Sequence, residues 1–185
     1  MAYFTRLGDN GVTIDLTGRK IPKNSAEINL IGTIDELNAH MGLIKAMLSH
    51  TDAWQFTWKK SCVFLERTQK NLMKLMSHIS DPTNEKYFFN ENDTLNIENE
   101  IDTLGKNIPN LTSLVIPGVN IIEAQIQIAR TIARRVERYF FAAKKDHALN
   151  SEAGNFLNRL SDYLFVLSQQ ESLVNVNFIN QITGV

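Results

Sequence analysis

The sequence predicts an all-α protein, a five-helix up-and-down bundle with an irregular N-terminal loop. Three observations predict it. Apolar residues recur at three- and four-residue steps in five separate stretches, which aligns each set on one helix face. No stretch shows the alternation of a half-buried strand. The connections between the periodic stretches are short, so successive helices pack as neighbours. The expected boundaries are a loop at 1–24, a bundle at 25–175 and a tail at 176–185, all in a single domain.

Residues 1–24 carry Gly8, Gly11 and Gly18 with Asp9 and Asn10 between the first two, and read as a polar loop with short extended pieces. Helical spacing begins near Ser25, with Ile34, Leu37, Met41, Ile44 and Leu48 on one face. Thr51-Asp52 breaks that run and can cap the next. The second helix turns Trp54, Trp58, Leu65, Leu72 and Met76 inward and stops before Asp81-Pro82. Residues 81–94, rich in Asn, Asp and Glu, read as a surface loop. A shorter helix from Asp93 to Lys106 places Leu95, Ile101 and Leu104 inward. Pro109 and Pro117-Gly118 bracket a connector, Asn110 to Ile116, that is apolar for a loop. Over residues 120–145, Ile122, Ile126, Ala129, Ala133, Val136 and Phe140 form a coiled-coil-like seam. The last helix runs from about Ser151 to about Val174 on a seam of Leu157, Leu160, Leu164 and Leu167.

Composition narrows the function. Nineteen Lys and Arg against twenty Asp and Glu leave a net charge of −1, whereas a dedicated nucleic-acid binder is usually basic. The single cysteine, Cys62, excludes an internal disulfide and a Cys-based zinc site, and is expected to be buried and inert. His40, His50, His78 and His147 share no metal-binding spacing. No run approaches the roughly 18 apolar residues of a membrane span. With one thiol and no secretory leader in view, the expected compartment is the cytoplasm.

Several polar residues exceed what a plain bundle needs. Arg130, Arg134 and Arg138 lie four apart and stack along one stripe, with Arg135 and Glu137 among them. Such a stripe suits an oligoanion, since a guanidinium donates two hydrogen bonds to one phosphate. It is equally the pattern of a solvated charged face. Asn158, Arg159 and Asp162 sit between seam leucines, where they either fix helix register or line a site. Asp35, Glu36 and Asn38 lie about ten residues into the first helix, too deep for a macrodipole role, and Asp35 is a candidate partner for an arginine. The glycine-bearing loop can cradle phosphates through backbone N–H groups, although it lacks the Gly-Lys-Ser/Thr of a Walker loop.

Four blocks, in order, carry a family resemblance over roughly residues 3–168. They are Thr5-Arg6-Leu7-Gly8-Asp9-Asn10-Gly11-Val12-Thr13; Gly32-Thr33-Ile34-Asp35-Glu36-Leu37-Asn38; Ile116-Pro117-Gly118 with Ala129-Arg130-Thr131-Ile132-Ala133-Arg134-Arg135-Val136-Glu137-Arg138; and Asn158-Arg159-Leu160-Ser161-Asp162-Tyr163-Leu164-Phe165. Together they resemble the PduO-type ATP:cob(I)alamin adenosyltransferases. The resemblance implies a homotrimer with sites at subunit interfaces, and transfer of the 5′-deoxyadenosyl group of ATP to the cobalt of reduced cobalamin with triphosphate leaving. Mg²⁺ is implied with the triphosphate, its protein ligands unassigned. The implied catalytic set is Arg130, Arg134, Glu137 and Asp35, with Arg130 pairing with Asp35. ATP is implied to contact Thr5, Arg6, Gly8, Asp9, Gly11, Thr13, Lys23, Arg134, Glu137 and Asn158. Cobalamin is implied to meet Asp35, Leu114, Arg130 and Phe165. Implied partners are a reductase and a cobalamin-dependent acceptor enzyme, with neither nucleic acid nor membrane.

The chain departs from the family pattern at several places. Where the family has Arg-Val-Glu-Ala-Tyr-Gly, this chain has Glu27-Ile28-Asn29-Leu30-Ile31-Gly32. The aromatic before the Pro-Gly segment is Leu114, and the second glycine after it is Val119. The His of His-x-Ala-Arg is Gln127, and the closing Ala-Arg is Ser168-Gln169. These changes make a catalytically weak relative that binds, delivers or senses adenosylcobalamin the alternative reading. A helical interaction module that binds nucleic acid through the arginine stripe is a third.

Overall fold

The computed structural model describes residues 4, 6–51, 58–110, 114–144 and 148–183, with side chains through Val174. Five helices make the bundle: α1 (Ala26–Ser49), α2 (Lys59–Ser80), α3 (Glu91–Gly105), α4 (Ile121–Ala143) and α5 (Ser151–Thr183). The expected N-terminal loop contains a small antiparallel hairpin, β1 (Val12–Ile14) with β2 (Lys20–Pro22), in the register Val12 to Pro22 and Thr13 to Ile21. Helix α1 packs on α2 and α4, and α5 packs on α4 and α3.

Sequence chemistry sets most of the ends. Ser25 caps α1 by accepting from Ile28 N at 3.3 Å, and Asn120 caps α4 by accepting from Glu123 N at 2.9 Å. Asn90 and Asp93 form a reciprocal capping box, which starts α3 at Glu91 rather than at Asp93. A single 3-10 turn at Glu85–Tyr87 interrupts the 81–94 connection, and Phe89 there is buried.

The predicted seams of α1, α4 and α5 face the core. Ile34, Leu37, Met41, Ile44, Leu48, Ala129, Ala133, Val136, Phe140, Leu157, Leu160, Leu164 and Leu167 are fully buried. Burial of each large aliphatic contributes roughly 1.5–3 kcal/mol. Trp58, Leu65 and Leu72 are likewise buried and Met76 is half-buried; Trp54 lies outside the described residues.

Two expectations are corrected. Leu95 is 41% exposed; Thr94 and Ile97 point inward instead. The positions 94, 97, 101 and 104 repeat at three and four residues, so Leu95 sits about 100° off that face. Helix α5 does not give way to a tail at 176 but continues to Thr183. No glycine or proline falls between Gly154 and Gly184 to stop it.

Candidate functional site

The first cluster is built by the N-terminal loop and its hairpin. Arg6 has φ 58°, and Gly11 has φ 74°. The chain then turns tightly, with Asp9 N donating to Arg6 O and Gly11 N to Gly8 O, each at 3.3 Å. Lys23 closes this loop: its backbone N donates to Gly11 O at 2.8 Å, and its Nζ lies where a Cβ on Gly8 would come within 2.8 Å. A side chain at Gly8 would push the Lys23 ammonium aside. Leu7, Gly8, Thr13, Ile14 and Lys23 line a shallow cavity of about 370 Å³. Asp9 is exposed, Arg6 stacks over the Phe4 ring at 5.5 Å, and Thr5 lies outside the described residues.

The hairpin turn carries its own electrostatics. Asp15 accepts from Thr17 N, Thr17 Oγ1 and Arg19 N at 2.7–2.9 Å, and its other oxygen accepts from Arg19 Nε at 2.9 Å. Burial pushes the Asp15 carboxyl up, and the hydrogen bonds from Thr17 and Arg19 more than offset this, holding it at about 2. Arg19 Nη2 donates to the buried Glu27 on α1 at 2.6 Å. The charge reversal at Glu27 is thus matched by an arginine on the hairpin.

The second cluster lies on α4 and α5. Asn158 Nδ2 donates to Glu137 Oε1 at 2.9 Å, which joins two predicted nucleotide residues across the helix pair. Arg159 extends the chain, with Nη1 to Asn158 Oδ1 at 2.6 Å and Nε to Glu98 Oε1 at 2.8 Å. Arg138 Nη1 donates to the Arg134 carbonyl at 3.0 Å. The Arg134 guanidinium is exposed and has no hydrogen-bond partner among the described residues. Arg135 pairs with Glu36 across α4 and α1, beside a groove of about 550 Å³ lined by Asn29, Thr33, Glu36, Arg135 and Tyr139.

Within the single chain, Arg130 Nε donates to Gln127 Oε1 at 2.7 Å, and Asp35 is exposed on α1. Gln127 Nε2 in turn donates to Ser168 Oγ at 2.9 Å, and Ser168 donates to the Phe165 carbonyl at 2.7 Å. Gln127 and Ser168, both positions where the chain departs from the family pattern, therefore form one buried relay between Arg130 and α5.

The third feature is the connector before α4. Leu114 is 97% exposed, and Phe165 is half-buried on α5. Gly118 takes φ 110°, and the Gly118 and Val119 N–H groups donate to Glu123 Oε2 at 2.7 and 3.2 Å. Glu171 on α5 accepts from Asn120 Nδ2 at 3.3 Å. Glu123 and Glu171 are both buried, and each keeps one carboxylate oxygen without a hydrogen-bond partner among the described residues. Burial, opposed by the Asn120 bond and aided by nearby Glu123, raises the Glu171 carboxyl to about 7.

The structure thus brings Gly8, Gly11, Thr13 and Lys23 together at the loop, and Glu137 and Asn158 together on the helices. Within the single chain, no hydrogen bond or ion pair among the described residues joins Asp35 to Arg130. Sequence reasoning did not anticipate the relay through Gln127 and Ser168, the Arg19–Glu27 pair or the Glu123–Glu171 pair. The only hint was that Glu27, Gln127 and Ser168 depart from the family pattern. Among the described residues no three His, Cys, Asp or Glu side chains converge as a metal-binding group, and no helix is long and apolar enough to cross a membrane.

Comparison with known proteins places these features in context. The family profile described as cobalamin adenosyltransferase matches residues 3–171. A corrinoid adenosyltransferase of Citrobacter freundii is 33% identical over 172 residues, covering 91% of this chain and 93% of that one. The PduO corrinoid adenosyltransferase of the same organism is 30% identical over 175 residues; the match covers 92% of this chain and half the length of that protein. A variant PduO-type ATP:corrinoid adenosyltransferase from Lactobacillus reuteri, complexed with cobalamin and ATP, superposes with a TM-score of 0.83 at 26% identity, covering 94% of this chain and 95% of that one. The chain belongs to the cobalamin adenosyltransferase family.

Proposed function

We propose that this chain transfers the 5′-deoxyadenosyl group of ATP to the cobalt of cob(I)alamin. A Co–C bond forms at C5′, the C5′–O bond breaks, and triphosphate leaves with the electron pair. The nucleophile is the reduced corrinoid, so the protein needs no Ser, Cys or His nucleophile. Its task is to align cobalt with carbon and to stabilise charge on the leaving group.

The observation that carries this reading is the Glu137–Asn158 contact beside an exposed Arg134 that has no hydrogen-bond partner among the described residues, in a chain that belongs to this family. Arg134 takes the polyphosphate. Arg6, Gly8, Asp9, Gly11, Thr13 and Lys23 form the opposing cradle, Thr5 is assigned to it by the family resemblance alone, and Glu137 and Asn158 shape the nucleoside end. Mg²⁺ arrives on the triphosphate; Asp9 is an exposed hard-oxygen donor of the kind that ion accepts. Arg130, set by Gln127, faces the corrin together with Asp35, Leu114 and Phe165.

Within one chain, among the described residues, the hairpin makes no extensive packing contact with α4 or α5. This supports a nucleotide site completed between subunits of a homotrimer. A soluble enzyme of the cytoplasm, supplied with electrons by a reductase and passing its product to a cobalamin-dependent enzyme, fits this chemistry.

The test is anaerobic incubation with reduced cobalamin and MgATP. Adenosylcobalamin is expected to appear as a change in the cobalamin absorption spectrum. Arg134→Ala is expected to cost about 3 kcal/mol of transition-state stabilisation, roughly a hundredfold in kcat/KM. Calorimetry that finds MgATP binding unchanged in Arg134→Ala contradicts the assignment. One observation favours a second reading, a relative that binds or delivers adenosylcobalamin: an exposed leucine, Leu114, stands where the family has an aromatic. ATP binding without product formation selects that reading.

A further inference from the structure

Glu27 is a buried carboxylate in the first turn of α1. Such a group is costly unless paired, even with the favourable end of a helix dipole beside it. One partner comes from the hairpin turn, where Arg19 Nη2 reaches it at 2.6 Å. The same guanidinium holds Asp15 through Nε at 2.9 Å. The two carboxylate side chains are 1% and 4% exposed, whereas Arg19 is half exposed. One arginine thus rivets the turn of the hairpin to the start of the helix. At the other end of the hairpin, Lys23 N holds Gly11 O at 2.8 Å, and Ser25 N holds Pro22 O at 3.0 Å. The glycine loop is therefore fixed relative to α1 at two points, one covalently continuous with the helix and one ionic.

We infer that Arg19, through Glu27, is a positioning residue that holds the N-terminal loop in its triphosphate-binding pose. The inference rests on the proposed function, because it assigns that pose to ATP. Neither Arg19 nor Glu27 is among the residues assigned to the nucleotide. Without the pair, the hairpin pivots about residues 23–25, and each binding event must restore the loop before its N–H groups can converge on phosphate.

Arg19→Met takes the guanidinium away from buried Glu27 and one donor away from Asp15, which lowers stability as well as positioning. The double variant Arg19→Met/Glu27→Met separates the two effects. It removes the Glu27 charge with its arginine, and Asp15 keeps its donors from Thr17 and the residue-19 backbone, so thermal stability recovers in part while the rivet stays lost. The expected result is a rise of about tenfold in the MgATP Kd and in KM for ATP in both variants. At saturating ATP, kcat and KM for cobalamin stay within about twofold of wild type. If the double variant recovers ATP affinity along with stability, the pair is structural only and the inference is overturned. Unchanged ATP affinity in Arg19→Met overturns it as well. Wild-type protein that binds MgATP but forms no adenosylcobalamin removes the catalytic reading alone, since the Kd comparison still decides this one. Wild-type protein that binds no MgATP overturns both.

Discussion

Tyr163 carries its phenol oxygen into the centre of the bundle, where it has no hydrogen-bond partner among the described residues. Its ring stacks on Phe64 with centroids 4.7 Å apart. Burial, with Glu100 and Cys62 adding to it, pushes the hydroxyl well above its ordinary pKa, so it stays neutral. A neutral unpaired hydroxyl still forfeits its hydration, at about 1–3 kcal/mol. Tyr163→Phe keeps the ring contact and removes that cost. It is expected to stabilise the fold by about 1 kcal/mol, a rise of roughly 2–4 °C in the melting temperature. A fall in melting temperature in a thermal scan would mean that the oxygen is satisfied. Gln127 shows the opposite economy. Both ends of its amide are used, one by Arg130 and one by Ser168. A buried amide with both ends satisfied fixes the rotamer of the arginine it serves.

Among the elements, the α4–α5 pair carries the most chemistry and also the most pH sensitivity. Glu171 holds its proton up to about pH 7 in the fold, against an ordinary value of 4.5. Between those values the folded state binds more protons than the unfolded chain, so stability falls as pH rises through that window and levels off above it. Glu171→Gln mimics the protonated form and keeps an acceptor for Asn120. It is expected to flatten the pH dependence and to exceed wild type in stability by about 1–3 kcal/mol at pH 8, with no difference below pH 4. Denaturant titrations at the two pH values check this; equal stability at pH 8 would mean that Glu171 ionises normally.

The same elements show why legibility varied along the chain. The seam of α4 was readable because burial imposes a period on sequence, and Asn120 sits where a cap belongs. The hairpin was read only as a polar loop because its strands are three residues each, too short for alternation to register. Leu95 misled because being apolar is a weaker guide to facing the core than being in phase with Ile97 and Ile101. Glu137 and Asn158 were assigned to one site only through the family resemblance, and the structure joins them by a hydrogen bond between α4 and α5. The Gln127–Ser168 and Arg19–Glu27 contacts left no local pattern, because they join elements whose relative placement the sequence does not state.

At the scale of the molecule, the two candidate clusters present a geometric question. The loop gathers Gly8, Gly11 and Lys23, the helices gather Arg134, Glu137 and Asn158, and among the described residues the hairpin makes no extensive packing contact with α4 or α5. In the proposed homotrimer, a triphosphate held by both sets takes the loop of one subunit and the helices of another. In a cyclic trimer every interface repeats the same head-to-tail contact. Lys23→Ala spoils the loop half of each site and Arg134→Ala spoils the helix half, so each variant alone is expected to be nearly inactive. Co-expression with different tags and tandem purification selects trimers containing both kinds of subunit. Around such a ring, whether two-to-one or one-to-two, one interface joins an intact loop to intact helices. The mixed protein is therefore expected to recover roughly a third of wild-type activity. If each site were built within one chain, every subunit would carry a lesion and mixing would restore nothing. Mixed oligomers that remain inactive would place the nucleotide within one subunit and require the loop to swing across its own bundle.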